Sequence, residues 1–146
     1  MGYDLSAKRP HRGAENYYRA GIEFMGFLRS AMAAAGVPER LIYKKFVSND
    51  DYLVTARESA MIAEKLTTWL RGRNLMLDLA ETNPKAHVAT DGLLFVQRAV
   101  GNQKEAAAIA RRRRAKSLPI RLDRRSRSAL RGFAAFCAGG GGFYVD

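Results

Sequence analysis

Apolar residues in the first quarter of the chain recur every three or four positions, which is the spacing of one buried helical stripe. The stripe comprises Tyr18, Ile22, Met25, Leu28, Met32 and Ala35. Gly36 followed by Val37-Pro38 ends the pattern, because glycine favours a helix C-terminus and proline cannot continue a helix. The pattern predicts a first helix over residues 14–35. Gly21 and Gly26 inside it predict close packing of another backbone there.

A second helix has the clearest start in the chain. Residues 38–45 fit a short helical turn, and residues 46–53 are predicted to be a connection with a polar tip. Thr55 and Glu58 have the spacing of a capping box, in which each side chain bonds the other residue's backbone amide. The predicted helix runs to about Arg71 and ends at Gly72. Its predicted buried residues are Ile62, Leu66, Trp69 and Leu70.

Interruptions divide the following segments. Residues 74–82 fit a short helix or a strand equally well. Asp91 and Asn102 have N-cap chemistry, which predicts helical segments after each of them and a kink near Gly101. Leu118-Pro119-Ile120 then interrupts the helical pattern because proline lacks the backbone donor.

The last helix is predicted to begin at Asp123, its N-cap. Its apolar stripe comprises Leu130, Phe133, Ala134 and Cys137. Residues 138–142 are glycine-rich and predicted to be flexible, and 143–145 are predicted to be a strand. Residues 3–6 alternate apolar and polar positions like a second strand, which should pair with 143–145 or with 74–79 because lone strands leave backbone groups unpaired.

These patterns predict one domain over residues 1–146, mainly α or α+β, with four to five helices and a small terminal β element. A length of 146 residues is enough for one hydrophobic core. The single cysteine, Cys137, excludes an intramolecular disulfide. The first 12 residues lack the apolar core of a secretory signal, and no apolar run is long enough to span a bilayer, so a cytoplasmic location without membrane contact is expected.

Positive charge is concentrated near the C-terminus. The chain carries a net charge of +11, and residues 101–146 contribute 11 basic and 3 acidic side chains to it. A local excess of this kind attracts phosphate backbones or acidic protein surfaces. An anionic membrane is a weaker candidate, because residues 103–116 lack a bulky apolar face.

The basic segment 102–131 is the predicted binding site. Its cations are expected to face solvent because few carboxylates lie near them in the sequence. The candidate nucleic-acid-binding residues are Arg111, Arg112, Arg113, Arg114, Lys116, Arg121, Arg124, Arg125, Arg127 and Arg131. A guanidinium can hold a phosphate through two hydrogen bonds. Four consecutive arginines on a helix point in different directions, so they cannot all reach one row of phosphates. Arg124, Arg127 and Arg131 are predicted to share one stripe. We therefore expect these residues to contact the phosphate backbone of a nucleic acid without recognising its base sequence.

Other chemistry is poorly supported by the sequence. His11 and His87 have no metal-ligand partners at a suitable spacing, so no metal or other cofactor is expected. Cys137 is predicted to be buried and Asp50-Asp51 to form a turn, so no catalytic residue is assigned. Among the tyrosines, Tyr18 is predicted to pack in the core and Tyr17 to lie on the surface, where it could stack on a base.

Both ends of the chain carry short motifs that resemble a family of small uncharacterised proteins from bacteria, phages and prophages. These motifs are Met1-Gly2-Tyr3-Asp4, Lys8-Arg9-Pro10, Tyr17-Tyr18-Arg19, Ser48-Asn49-Asp50, Glu58-Ser59 with Ala63 and Leu66, Phe133-Ala134-Ala135-Phe136-Cys137 and Gly141-Gly142-Phe143. The segment 72–116 lies outside this resemblance. The resemblance implies a phage or prophage setting and carries no activity with it.

The function predicted from the sequence is non-catalytic binding of nucleic acid, or of a nucleoprotein complex, through the arginine-rich surface. A first alternative, suggested by the phage setting, is an anti-CRISPR-like inhibitor that contacts a host defence complex through protein surfaces. An enzyme of unknown type is the second alternative.

Overall fold

The computed structural model describes residues 2–48, 50–78 and 119–146. In chain order they form β1 (Gly2–Ala7), β2 (Tyr17–Gly21), α1 (Ile22–Ala34), α2 (Glu39–Lys45), β3 (Tyr52–Val54), α3 (Ala56–Leu70), β4 (Met76–Asp78), β5 (Pro119–Arg121), α4 (Arg124–Gly139) and β6 (Phe143–Val145). Within these ranges the fold is mixed α+β, with four helices, a four-stranded sheet and a two-stranded sheet.

The larger sheet is antiparallel throughout and has the strand order β2-β1-β6-β3. The predicted pairing of the two terminal strands is confirmed, with Leu5 opposite Val145. Asp4 and Asp146 extend this pairing by exchanging two backbone hydrogen bonds of 2.9 Å each. In the smaller sheet β4 pairs with β5, so the ambiguous pattern after residue 74 begins as a strand.

The predicted first helix is wrong in its N-terminal part, because residues 17–21 form β2 and the helix begins at Ile22. The spacing of four between Tyr18 and Ile22 does not distinguish a helix from a strand. The strand forms because residues 17–21 pair with β1, which a local pattern does not show. Gly21 is the N-cap of α1 in an extended conformation. No atom lies within 4 Å of the position that its Cβ would occupy, so the predicted close packing at Gly21 is also wrong.

One further prediction needs correction, and the structure adds detail to another. The connection predicted over 46–53 contains the start of β3, because Tyr52 pairs with Val145 across the sheet. The interruption at Leu118-Pro119-Ile120 leads directly into β5, where proline is tolerated as the first residue of a strand.

The glycine-rich segment after α4 is held by neighbouring backbone rather than left flexible. Gly139 is the last residue of α4, and its carbonyl accepts from the His11 amide at 2.7 Å. The Gly142 carbonyl accepts from the Lys8 amide at 2.8 Å. A Cβ on Gly142 would lie 2.8 Å from the Val54 carbonyl oxygen, and its φ of +91° favours glycine.

The two predicted N-caps that lie within the described residues are confirmed. Thr55 and Glu58 form the complete capping box at the start of α3. The Asp123 carboxylate accepts from the Ser126 amide at 2.7 Å and begins α4. The short helix predicted over 38–45 is present as α2.

The hydrophobic core joins the helices to the sheet through a chain of aromatic rings. Tyr18 on β2 lies 5.7 Å from Phe133 and 5.5 Å from Phe136, measured between ring centroids. Phe136 contacts Phe143 on β6 at 5.3 Å. The predicted apolar stripe of α4 is buried in this core.

One cation is buried among these apolar residues. Arg29 on α1 is 1% exposed. Its Nη1 donates to the carbonyl of Phe46, the C-cap of α2, at 2.5 Å. The bond connects α1 to the end of α2, where a helix carbonyl would otherwise have no intrahelical donor.

The predicted helical segments after Asp91 and Asn102, and the predicted kink near Gly101, lie outside the described residues. In the part of the chain that is described, no helix has the length and apolar character needed to cross a membrane.

Replacing Ser59 by alanine is expected to destabilise the packing of α3 on α4. The buried Ser59 hydroxyl donates to the Cys137 carbonyl at 2.6 Å. Its loss should lower the free energy of unfolding by about 1 to 2 kcal/mol, measured by urea denaturation. Ser128→Ala on the exposed face of α4 is the control and should change it by less than about 0.5 kcal/mol. Equal effects of the two substitutions would contradict the assigned role of Ser59.

Glu58 should make stability depend on pH in the acidic range. Desolvation is the largest single influence and would raise the pKa of Glu58, but the hydrogen bonds from Lys45 and Thr55 together lower it below its ordinary value. The carboxylate therefore stabilises the fold above its unfolded-state pKa, and this contribution is lost as the pH falls through the lower folded pKa.

Glu58→Gln tests this dependence because it keeps the size of the side chain and cannot ionise. Wild type should be the more stable of the two at about pH 7, and the difference should shrink towards about pH 3. Urea denaturation at several pH values measures it. A difference that stays constant with pH would rule out the carboxylate as its source.

Candidate nucleic-acid interface

Packing of α3 along α4 creates the candidate site. At the end of α3 the amide of Arg71, its C-cap, donates to the Thr68 carbonyl, and the amide of Gly72 donates to the Trp69 carbonyl. Asn74 completes the turn with a φ of +52°, a conformation that asparagine tolerates better than most residues. The end of α3 thereby stands beside the first half of α4, where Arg127 bonds Gly72.

A groove of about 520 Å³ lies between these two helices. The described residues that line it are Thr67, Leu70, Arg71, Gly72, Arg73, Arg127, Arg131, Ala134, Ala135 and Ala138. Four of them are arginines and none of them is acidic. We call this the arginine groove. Two of its arginines come from the end of α3 and the turn that follows, and two come from α4.

Arg127 holds the two sides of the arginine groove together. Its Nη2 donates to the Gly72 carbonyl at 2.6 Å, across 55 positions of sequence. A guanidinium has several N–H donors, so this single bond leaves others for a ligand. Arg127 therefore fixes the position of the turn and still contributes charge to the groove.

The other three groove arginines, Arg71, Arg73 and Arg131, are exposed. The ion pairs among the described residues join Arg19 to Asp4 and Lys45 to Glu58, and neither pair lies in the groove. Since no described carboxylate forms an ion pair with the groove arginines, the described lining of the groove carries an excess of positive charge.

The structure brings together only part of the predicted site. Arg127 and Arg131 line the groove, and Arg124 is exposed on the same stripe of α4, within about 60° of Arg127 at 3.6 residues per turn. Arg125 is exposed on another face, about 160° from Arg127 by the same geometry. Arg121 on β5 is exposed, and its Nη2 donates to Asn74 Oδ1 at 2.8 Å. Arg111 to Arg114 and Lys116 lie outside the described residues.

The sequence interpretation missed Arg71 and Arg73. Both flank Gly72, which was used only to mark the end of the helix. Basic residues near a helix C-terminus are common because they interact favourably with the helix dipole, so their presence alone did not indicate a site. Only the packing of α3 on α4 places them opposite Arg127 and Arg131.

The tyrosines and the cysteine lie where the sequence predicted. Tyr18 packs in the core, and burial raises its pKa to about 12. Tyr17 is 48% exposed, and its hydroxyl donates to the Asp4 carboxylate. Cys137 is buried, and burial raises the pKa of its thiol well above the ordinary value, although the bond from Ser59 opposes this. The thiol therefore stays protonated near neutral pH.

Three acidic residues, Asp4, Asp51 and Asp146, lie close to one another at the larger sheet, and none of them lines the groove. Asp51 occupies a turn conformation with a φ of +64°, as the sequence predicted for this polar tip. A hydrogen bond with Asp51 raises the pKa of Asp146, which is next to Asp4 in the sheet. Within residues 2–48, 50–78 and 119–146, no three or more His, Cys, Asp or Glu side chains are grouped so that they could hold a metal ion.

No protein-family model, curated protein or solved structure matches the chain. The resemblance of its two ends to a phage and prophage family stays a prediction. The candidate site therefore depends on its own geometry and charge.

Arg127 and Arg131 should differ in their effects on stability, although both line the groove. Arg127→Ala removes the 2.6 Å bond to Gly72 and should lower the free energy of unfolding by about 1 to 2 kcal/mol. Arg131→Ala removes an exposed charge and should change it by less than about 0.5 kcal/mol. Thermal and urea denaturation of both variants measure this. Similar values for the two variants would contradict the structural role of Arg127.

Proposed function

We propose that the protein binds nucleic acid, alone or within a nucleoprotein complex, by holding the phosphate backbone at the arginine groove. The observation that carries this proposal is the convergence of Arg71, Arg73, Arg127 and Arg131 around one groove with no acidic residue among its described lining. Two elements distant in sequence supply these arginines. A solvated helix face would not require such convergence.

The chemistry of arginine favours phosphate as the ligand. Its planar guanidinium can donate two parallel hydrogen bonds to one phosphate, and each neutralised phosphate releases condensed counterions. Arg124, on the same stripe of α4, extends the positive surface beyond the groove. The sequence prediction of this site also includes Arg111, Arg112, Arg113, Arg114, Lys116 and Arg121. Their positive charges would add to the same electrostatic field.

The proposal is one of binding and not of catalysis. The buried, protonated thiol of Cys137 is unsuited to attack a substrate. Recognition of a base sequence would need side chains directed at base edges from a docked helix or strand, whereas the groove arginines converge on a recess. Affinity should therefore depend on phosphate charge far more than on sequence. A cytoplasmic, phage or prophage setting belongs to the same proposal.

Binding should weaken steeply as salt increases. Fluorescence anisotropy with labelled DNA and RNA oligonucleotides, single-stranded and duplex, across a salt series measures both affinity and its salt dependence. Arg71→Gln with Arg73→Gln should weaken binding about tenfold and reduce the slope of log Kd against log salt by about one to two. Both residues are exposed, so folding should be preserved.

Arg12→Gln with Arg40→Gln is the matched control, because it removes the same charge from exposed residues that do not line the groove. It should cause a smaller loss of affinity than the groove variant. Equal losses would show that only net charge matters and would contradict the assigned site. If the wild-type protein binds none of the oligonucleotides at low salt, the proposal fails, and contact with an acidic protein surface of a host defence complex becomes the better explanation.

A further inference from the structure

The arginine groove differs from a flat basic surface because it encloses volume. Its volume of about 520 Å³ is comparable to that of pockets that hold small organic ligands, roughly 300 to 1,000 Å³. Its size therefore admits a group larger than a phosphate ion alone.

The lining also has an uncharged part. Leu70 and Ala134 are buried, and Ala135 and Ala138 are exposed along α4. The short alanine side chains leave room above α4, and together with Leu70 they offer an apolar surface beside the guanidinium groups. A ligand with a charged part and a less polar part therefore complements the groove.

A nucleotide unit of a single strand has this combination. Its phosphate can accept from guanidinium groups on both sides of the groove, while its sugar or base lies against Ala135 and Ala138. In a duplex the bases are stacked and paired inside the helix, so only the phosphates at its surface could reach the arginines. An acidic peptide would match the charge of the groove. Its Asp and Glu side chains, however, carry no ring or sugar that could lie against the apolar part of the groove.

We infer that the arginine groove seats one nucleotide unit of a single-stranded nucleic acid, with its phosphate between Arg71/Arg73 and Arg127/Arg131 and its sugar or base on Ala135 and Ala138. This inference rests on the proposed function and adds a preference for single strands. No aromatic side chain lines the groove within the described ranges, so a stacking platform is absent from that lining. Discrimination between bases should therefore be weak.

Filling the groove without changing its charge tests the inference. Ala135→Leu with Ala138→Leu adds bulk on the exposed face of α4, and leucine keeps a high helix propensity. Ala33→Leu with Ala60→Leu is the matched control, made at exposed helical alanines that do not line the groove. Circular dichroism and thermal denaturation verify that both variants are folded.

Binding is measured by anisotropy at low salt with a single-stranded oligonucleotide and with the duplex of the same sequence. Wild type should bind the single strand more tightly. The groove-filling variant should bind the single strand about tenfold more weakly, a change of about 1.4 kcal/mol, and should bind the duplex within about twofold of wild type. The control variant should leave both affinities within about twofold.

Four results would overturn the inference. If filling the groove leaves single-strand affinity unchanged while Arg71→Gln with Arg73→Gln weakens it, the basic surface binds nucleic acid but the groove does not seat a nucleotide. If the filled variant loses duplex and single-strand affinity equally, or if polyglutamate displaces the single strand at the same charge concentration, the preference is wrong. If wild type binds neither form at low salt, the proposed function fails together with the inference.

Discussion

The packing of α3 on α4 is the constraint on which the rest of the described structure depends. The hydroxyl of Ser59 fixes it from within by donating to the Cys137 carbonyl at 2.6 Å. Arg127 fixes its other end by donating to the Gly72 carbonyl at the same distance. Between these two bonds, the buried faces of the helices exclude water from the core. The outer edges of the same helices form the arginine groove.

The stability of the fold and the properties of the groove are therefore linked through Arg127. Burying part of a guanidinium is costly unless its donors have partners, and the carbonyl of Gly72 supplies one. The exposed arginines need no such compensation because water solvates them. Arg127 therefore maintains the shape of the groove, whereas substitution of Arg71, Arg73 or Arg131 should leave the fold intact.

Local chemistry accounts for the parts of the fold that the sequence predicted correctly. The capping box at Thr55 and the N-cap at Asp123 each depend on residues within one helical turn, so a sequence pattern contains the whole interaction. The two terminal strands were also predicted, because an alternating pattern has to find a partner. By contrast, β2 pairs with β1 across residues 8–16, and β3 pairs with β6, which lies far away in the sequence. Neither pairing is contained in one local pattern, so residues 17–21 were compatible with a helix and residues 52–53 with a connection.

The same distinction explains the candidate site. A run of basic residues can be located from the sequence, which is why Arg127 and Arg131 were predicted. Their convergence with Arg71 and Arg73 depends on tertiary packing across more than 50 positions of sequence, as the bond from Arg127 to Gly72 shows. Helical spacing already separates Arg125 from the stripe of Arg124, Arg127 and Arg131, but only the packing of α4 on α3 shows that Arg127 and Arg131 line the groove.

The position of β6 has a consequence for how the protein is made. Strand β6 lies between β1 and β3, and it supplies the hydrogen bonds that join them into one sheet. During synthesis on the ribosome, β1 and β3 emerge long before residues 143–145, and they cannot be joined in this order until those residues arrive. The sheet can thus close only after all four described helices have been translated.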